Sequence, residues 1–219
     1  MKLKFGLVWV IFFYALKLSA QSGADFKPIK DFGTWVSVDA TKKLNKKTDV
    51  NLSEQIRLFN NSTQFRASFT DLGIQRELTK KISLSFDYLL ITRANMQPFQ
   101  HRLFADITYT KKINKFSTDF RVRFQKKFER EKLPENYIRP KISFKYKISK
   151  KLKPYMAAEG FYHINYAGNN FDDVRFFIGC EYAYSDSKSI KLYYALDREI
   201  NVAYPVQTNI LGISWSLDF

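Results

Sequence analysis

The sequence predicts an all-β fold, an up-and-down antiparallel transmembrane β-barrel of about ten to twelve strands. Three observations carry that expectation. Apolar and polar residues alternate with a period of two over long runs, short turns alternate with longer polar connections, and the final strand places its apolar residues in one phase up to Phe219.

The first twenty residues stand apart by composition. Lys2 and Lys4 precede an apolar run from Phe5 to Leu16, and Leu18-Ser19-Ala20 follows before Gln21. That is the pattern of a cleaved secretory signal peptide, too short for a spanning helix of about 20 residues. The expected organisation is a signal at 1–20, an N-terminal segment at 21–31 and a barrel over 32–219. Export through such a signal places the mature chain outside the cytoplasm, and together with the barrel pattern the expected location is the outer membrane of a Gram-negative cell.

Lys and Arg number 36 against 21 Asp and Glu, and removal of Lys2, Lys4 and Lys17 leaves 33 against 21, a net +12. A balance so basic raises nucleic acid as a partner. The placement of the charges argues against it, because they fall in short turns and on alternate strand residues rather than on one helix face. Cys180 is the single cysteine, so no internal disulfide and no cysteine-based metal site can form.

The alternation is clearest from Phe116. Phe116, Thr118, Phe120, Val122 and Phe124 interleave with Ser117, Asp119, Arg121, Arg123 and Gln125. Ile138, Pro140, Ile142, Phe144 and Tyr146 do the same with Arg139, Lys141, Ser143 and Lys145. Val174, Phe176, Ile178, Cys180 and Tyr182 oppose Arg175, Gly179 and Glu181, with Phe177 breaking the polar face. Ile82, Leu84, Phe86 and Tyr88 oppose Ser83, Ser85 and Asp87. Strands of this length suit a tilted membrane crossing of about 9 to 11 residues better than a soluble sandwich. Aromatic residues make up 17% of the chain, and many fall near strand ends.

Short turns at Asn45-Lys46-Lys47, Thr79-Lys80-Lys81, Asn114-Lys115, Ser149-Lys150-Lys151 and Ser185-Asp186-Ser187-Lys188 delimit the strands. Between them lie the polar connections Asn60–Thr63, Arg93–Pro98, Glu129–Glu135, Gly168–Asp173 and Ile200–Pro205. The turns define ten strands, from Val50–Leu58 to Gln207–Phe219, with both ends on the turn side. Phe32–Lys42 is an eleventh candidate that conflicts with the even strand number of bacterial single-chain barrels. A twelfth crossing near Gly23–Asp31 would resolve the conflict, as would an inserted or partly paired Phe32–Lys42. Pro140 lacks a ladder donor and is expected at a bulge or near the rim. Glu54, in phase with Leu52, Ile56 and Leu58, is expected near a bulge or register shift.

Leu211, Ile213, Trp215, Leu217 and Phe219 form the outward row of the last strand. Trp215, Leu217 and the terminal aromatic Phe219 resemble the signal by which barrel-assembly machinery recognises its clients. Charges must then face the lumen, since Lys or Arg against lipid at the midplane costs about 2 to 4 kcal/mol. The lumen-lining candidates are Arg57, Arg102, Asp119, Arg121, Arg123, Arg139, Lys141, Glu159, His163, Arg175 and Glu181, accompanied by Asp87, Asp106, Lys145, Lys191 and Asp197.

Trp35, Gln100-His101-Arg102, Arg121-Val122-Arg123, Arg139, Asp173-Val174-Arg175 with Gly179, and the closing strand together resemble the domain of unknown function 2490 family of predicted outer-membrane barrels. The resemblance spans most of the mature chain and implies a fold and a location without an activity. Where the family often carries an acid ahead of the His-Arg pair, this chain has Gln100.

Basic residues outnumber acidic ones in the interior set, which points to a narrow, weakly anion-favouring channel for small solutes. The alternative is a closed structural or adhesive barrel whose lumen is filled by Arg–carboxylate pairs. A lipid-modifying enzyme is the third reading. It is disfavoured because neither His101 nor His163 has a serine two residues away. Neither histidine has ligand spacing for a metal, and no cofactor is expected. The expected partners are outer-membrane lipid, the barrel-assembly machinery and small anionic solutes.

Overall fold

The computed structural model describes residues 27–94, 99–164 and 169–219. The signal peptide expected at 1–20 lies outside the described residues, as does most of the 21–31 segment. Eleven strands follow in order: Ile29–Asn45 (β1), Thr48–Phe59 (β2), Gln64–Glu77 (β3), Ile82–Arg93 (β4), Gln100–Ile113 (β5), Phe116–Glu129 (β6), Glu135–Tyr146 (β7), Leu152–Ile164 (β8), Asn170–Ser185 (β9), Lys188–Glu199 (β10) and Val206–Asp218 (β11). Each pairs with its sequence neighbours, and β1 pairs with β11 to close the barrel. Closure removes both sheet edges and satisfies every strand on two sides.

The ten strands delimited by the turns are all present, with ends within a few residues of expectation. Among the described residues the count is eleven, within the expected ten to twelve, because Phe32–Lys42 belongs to a full wall strand that starts at Ile29. It is neither inserted into the lumen nor partly paired. With an odd number of up-and-down strands, the first and last must run the same way where they meet. The β1·β11 ladder is accordingly parallel, from Ile29↔Val206 to Thr41↔Asp218, while the other ladders are antiparallel. The two wall ends therefore sit on opposite rims. At the loop rim the Ile29 N–H donates to the Pro205 carbonyl, and at the turn rim the Phe219 N–H donates to the Thr41 carbonyl.

Residues directly paired across a ladder share a face, so the register sorts the whole wall into two sides. On β10 and β11, Ala195 and Ile210 are fully buried inside, while Leu192 and Leu211 remain 54% and 45% exposed outside. The short turns also match the expected positions. Asn114, with φ 52°, opens the tight Asn114-Lys115 reversal, a left-handed conformation that asparagine tolerates better than most residues.

One local expectation fails, and a second is met only three residues away. Pro140 lies mid-strand, paired with Val122 of β6. The β7–β8 ladder skips Arg139 and Pro140 and resumes at Lys141↔Glu159 without a change of register. The missing donor thus costs one gap in a ladder, opposite Gly160, and no bulge is needed. Glu54 likewise stays in register, facing Val38 and Thr70, and the nearest shift comes only between Arg57 and Leu58. Its carboxylate remains on the outer face, where it accepts a hydrogen bond from the Thr70 hydroxyl.

Candidate functional site

The polar faces of the strands converge in the barrel interior. At its centre, Glu159 of β8 is 5% exposed and receives guanidinium groups from β7 and β6. Arg139 donates through Nε at 3.2 Å and Nη2 at 2.9 Å, and Arg121 of β6 donates to the same Oε1. Arg139 also reaches Gln125 Oε1 at 2.7 Å. Beside them, Arg123 grips Asp106 with two parallel bonds of 2.7 Å, the fork geometry that suits a guanidinium to a carboxylate. Arg175 holds Asp197 in the same way at 2.9 and 2.8 Å.

Aromatic rings fill the space between these pairs. Arg57 lies between Trp35 and Phe69, 3.8 Å from each ring centre. Arg123 stands 3.6 Å over Phe104, Arg139 stands 4.1 Å over Phe161, and Arg175 sits 5.0 Å from both Trp35 and Phe161. Lys141 lies 4.6 Å over Phe177. A guanidinium is planar and weakly hydrated, so it can stack on a ring and still bond a carboxylate in its own plane.

The rings fit because glycines make room for them. One register row reads Tyr155, Gly179, Tyr193, Gly212, Trp35, Arg57 across β8 to β2. A Cβ at Gly212 would fall within the Tyr193 ring, and one at Gly179 would lie 2.6 Å from the Leu192 carbonyl oxygen. The strand glycines thus mark close approach of a ring to the backbone.

Near the loop rim, Gln100 is fully buried and links Arg102 to Glu129, with Arg102 Nη2 donating to its Oε1 at 2.9 Å. His163 is 4% exposed, stacked on Tyr137 at 4.1 Å between centres, and its Nδ1 lies 3.1 Å from Asp172. Towards the turn rim, Lys145 approaches Asp119 at 3.3 Å and Lys153 approaches Glu181 at 2.7 Å. All eleven lumen candidates therefore face inward, but in separate tiers: Arg121, Arg123, Arg139, Lys141, Glu159 and Arg175 in the middle, Arg102 and His163 above, Asp119 and Glu181 below. Arg57 belongs with Trp35 in the middle tier. His101 faces outward near the loop rim and bonds Tyr88 at 2.6 Å.

Sequence reasoning missed three things here. Asp39 bonds Ser53 and Ser214, tying β1 to both of its neighbours. Asp71 and Asp173 also face inward, which offsets the basic excess expected of the lumen. The inward aromatics Trp35, Phe69, Phe104 and Phe161 were legible as apolar residues in the polar phase, as Phe177 was. Among the described residues, no group of three or more His, Cys, Asp or Glu is placed to hold a metal.

The family model described as protein of unknown function (DUF2490) matches residues 32–204, from β1 through the last loop. The chain belongs to the DUF2490 family. The match omits β11, so the strand that closes this DUF2490 barrel lies beyond it. No curated protein matches the chain. Among solved structures, the chain is similar to the crystal structure of Acinetobacter baumannii OccAB4, at 8% identity and a TM-score of 0.39. The likeness covers 76% of this chain and 51% of that one, so the DUF2490 chain spans about half the length of its structural relative.

Proposed function

We propose that this DUF2490 protein is a closed, non-conducting barrel of the outer membrane, with an interior that stabilises the wall rather than passing solute. The observation that carries the reading is the burial of the middle tier: Trp35, Phe104, Asp106, Gln125, Arg139 and Glu159 are each at most 8% exposed although they line the lumen. An aqueous pore would leave such groups wet. Eight strands give a lumen just filled by side chains. Eleven widen it roughly 1.4-fold in diameter, and the large side chains of Arg, Trp and Phe fill the added space. Of the guanidiniums that would attract anions, those of Arg57, Arg121, Arg123, Arg139 and Arg175 are already committed to carboxylates or rings, and that of Arg102 to the Gln100 amide.

The outer wall supports the membrane location. Phe86, Ile178, Leu103 and Leu52 are 57%, 60%, 51% and 51% exposed, and the outward row from Val50 through Ile74, Phe86, Ala105, Phe124 and Ile138 to Tyr162 is apolar from β2 to β8. Exposed apolar patches beyond a few hundred Å² mark an interaction surface, and here the surface is a continuous band. Tyr109, Phe116, Tyr146 and Tyr184 stand near the turn rim, where an aromatic girdle sits. In this reading Trp215, Leu217 and Phe219 form the outward end of the closing strand presented to assembly machinery, and the export signal precedes the barrel.

The test is reconstitution of the mature chain into planar bilayers after recovery from the outer-membrane fraction. The expected record shows no discrete conductance steps. Steps with an anion-selective reversal potential would overturn the closed reading and establish the conduit.

A further inference from the structure

The outer wall is not evenly convex. A groove of about 920 Å³ runs across it from β2 to β8, following two adjacent register rows of outward residues. One row includes Phe86, Ala105 and Phe124, and the other includes Leu72, Leu103 and Lys126. Ala105 keeps its floor low, while Leu72, Phe86, Leu103 and Phe124 are each about half exposed and form its sides. The volume is that of a site for a ligand of ordinary size, and the lining is apolar almost throughout.

Polarity enters at the loop-side edge. Lys126 and Asn136 line the groove there and face each other across the β6–β7 ladder. The neighbouring lysine, Lys127, points inward and is bound to Glu135 at 2.7 Å. Lys126 points outward, with its ammonium 5.5 Å from the Phe128 ring. Among the described residues it makes no ion pair. Tyr88, which also lines the groove, carries its hydroxyl to His101 at the same edge. An apolar trough capped on one side by a cation and amide donors matches one chemistry: an acyl chain below and an anionic headgroup above.

We propose that this groove binds an anionic lipid of the loop-side leaflet, with an acyl chain along Leu72, Phe86, Leu103 and Phe124 and its headgroup phosphate on Lys126 and Asn136. A second copy of the chain fits less well, because the groove is concave and a self-complementary contact would need a matching ridge bearing a carboxylate opposite Lys126. The inference rests on the membrane location proposed above, and it is independent of whether the lumen conducts.

The experiment is native mass spectrometry of the full mature chain in detergent, titrated with phosphatidylglycerol and with phosphatidylcholine of the same acyl chains. The expected result is one retained phosphatidylglycerol per barrel. Lys126→Gln should lose about five-fold in preference for the anionic headgroup, the effect of one lysine at a charged surface. Ala105→Leu, which raises the groove floor, should weaken both lipids while the barrel still migrates differently on gels with and without heating. A heat-modifiable barrel with no headgroup preference in any variant would overturn the lipid site. So would a dimer that Ala105→Leu dissolves, which would assign the groove to a second copy. A chain that stays soluble without detergent would show a different failure, that of the membrane location itself.

Discussion

Replacing Glu159 with alanine should destabilise the barrel by about 3 to 5 kcal/mol, the loss expected when one partner of a buried charge cluster is removed. Arg121 and Arg139 converge on the same Glu159 oxygen, Arg139 from β7 beside β8 and Arg121 from β6 one strand further on. Without the carboxylate, two guanidiniums face each other in a site closed to water, beside Lys141 on the same strand as Arg139. Glu159→Gln should fall between the parent and the alanine variant, since an amide oxygen still accepts a hydrogen bond but carries no charge. The measurement is equilibrium unfolding in detergent, followed by the conversion of the compact gel band to the unfolded one. A Glu159→Ala barrel as stable as the parent would show that the central tier contributes no stability.

Gly212→Val should cost about 1 to 3 kcal/mol through overpacking, because the new side chain enters the space held by the Tyr193 ring. The same variant combined with Tyr193→Ala should recover much of the loss, since the ring that clashes is gone. Residues in contact show this coupling in a double-mutant cycle, and distant ones do not. Additive losses would mean that the Tyr193 ring does not lie over Gly212. The comparison matters because Gly212 sits on β11 directly beside Trp35 of β1, at the closing seam.

The distribution of legible and illegible features follows from what a strand encodes locally. Alternation and turns are local, and they located β2 to β11 and the outward phase of Leu211 to Phe219. The parallel pairing of Ile29 with Val206 joins the two ends of the wall. Nothing in either segment alone encodes a partner so distant in sequence, and a parity rule drawn from other barrels pointed the wrong way. Trp35 compounded the difficulty, because a large aromatic in the polar phase reads as an interrupted strand. Its inward position makes sense only once Arg57, Arg175 and the glycine opposite it are in place. The lumen charges were legible for the same reason the strands were, since a charge on an alternating strand has one place to go. Their pairing was not. Which acid meets which guanidinium depends on register across three or four strands, and Asp39, Asp71 and Asp173 only joined the interior set when the register was known. Glu54 is the opposite case: its phase was read correctly, and the expectation of a bulge came from distrusting an outward charge that the Thr70 hydroxyl supports.

The most direct test of the closed eleven-stranded barrel is a cysteine pair at the seam. Val38 and Trp215 face each other across the parallel β1·β11 ladder on the outer side. In a Cys180→Ser background, cysteines at these two positions should form a disulfide in the folded protein under mild oxidation, and should fail to do so when either is moved by one residue to the inner face. A link formed instead between Trp215→Cys and a cysteine on β2, with Val38→Cys left unreacted, would place β2 against β11 and contradict the seam.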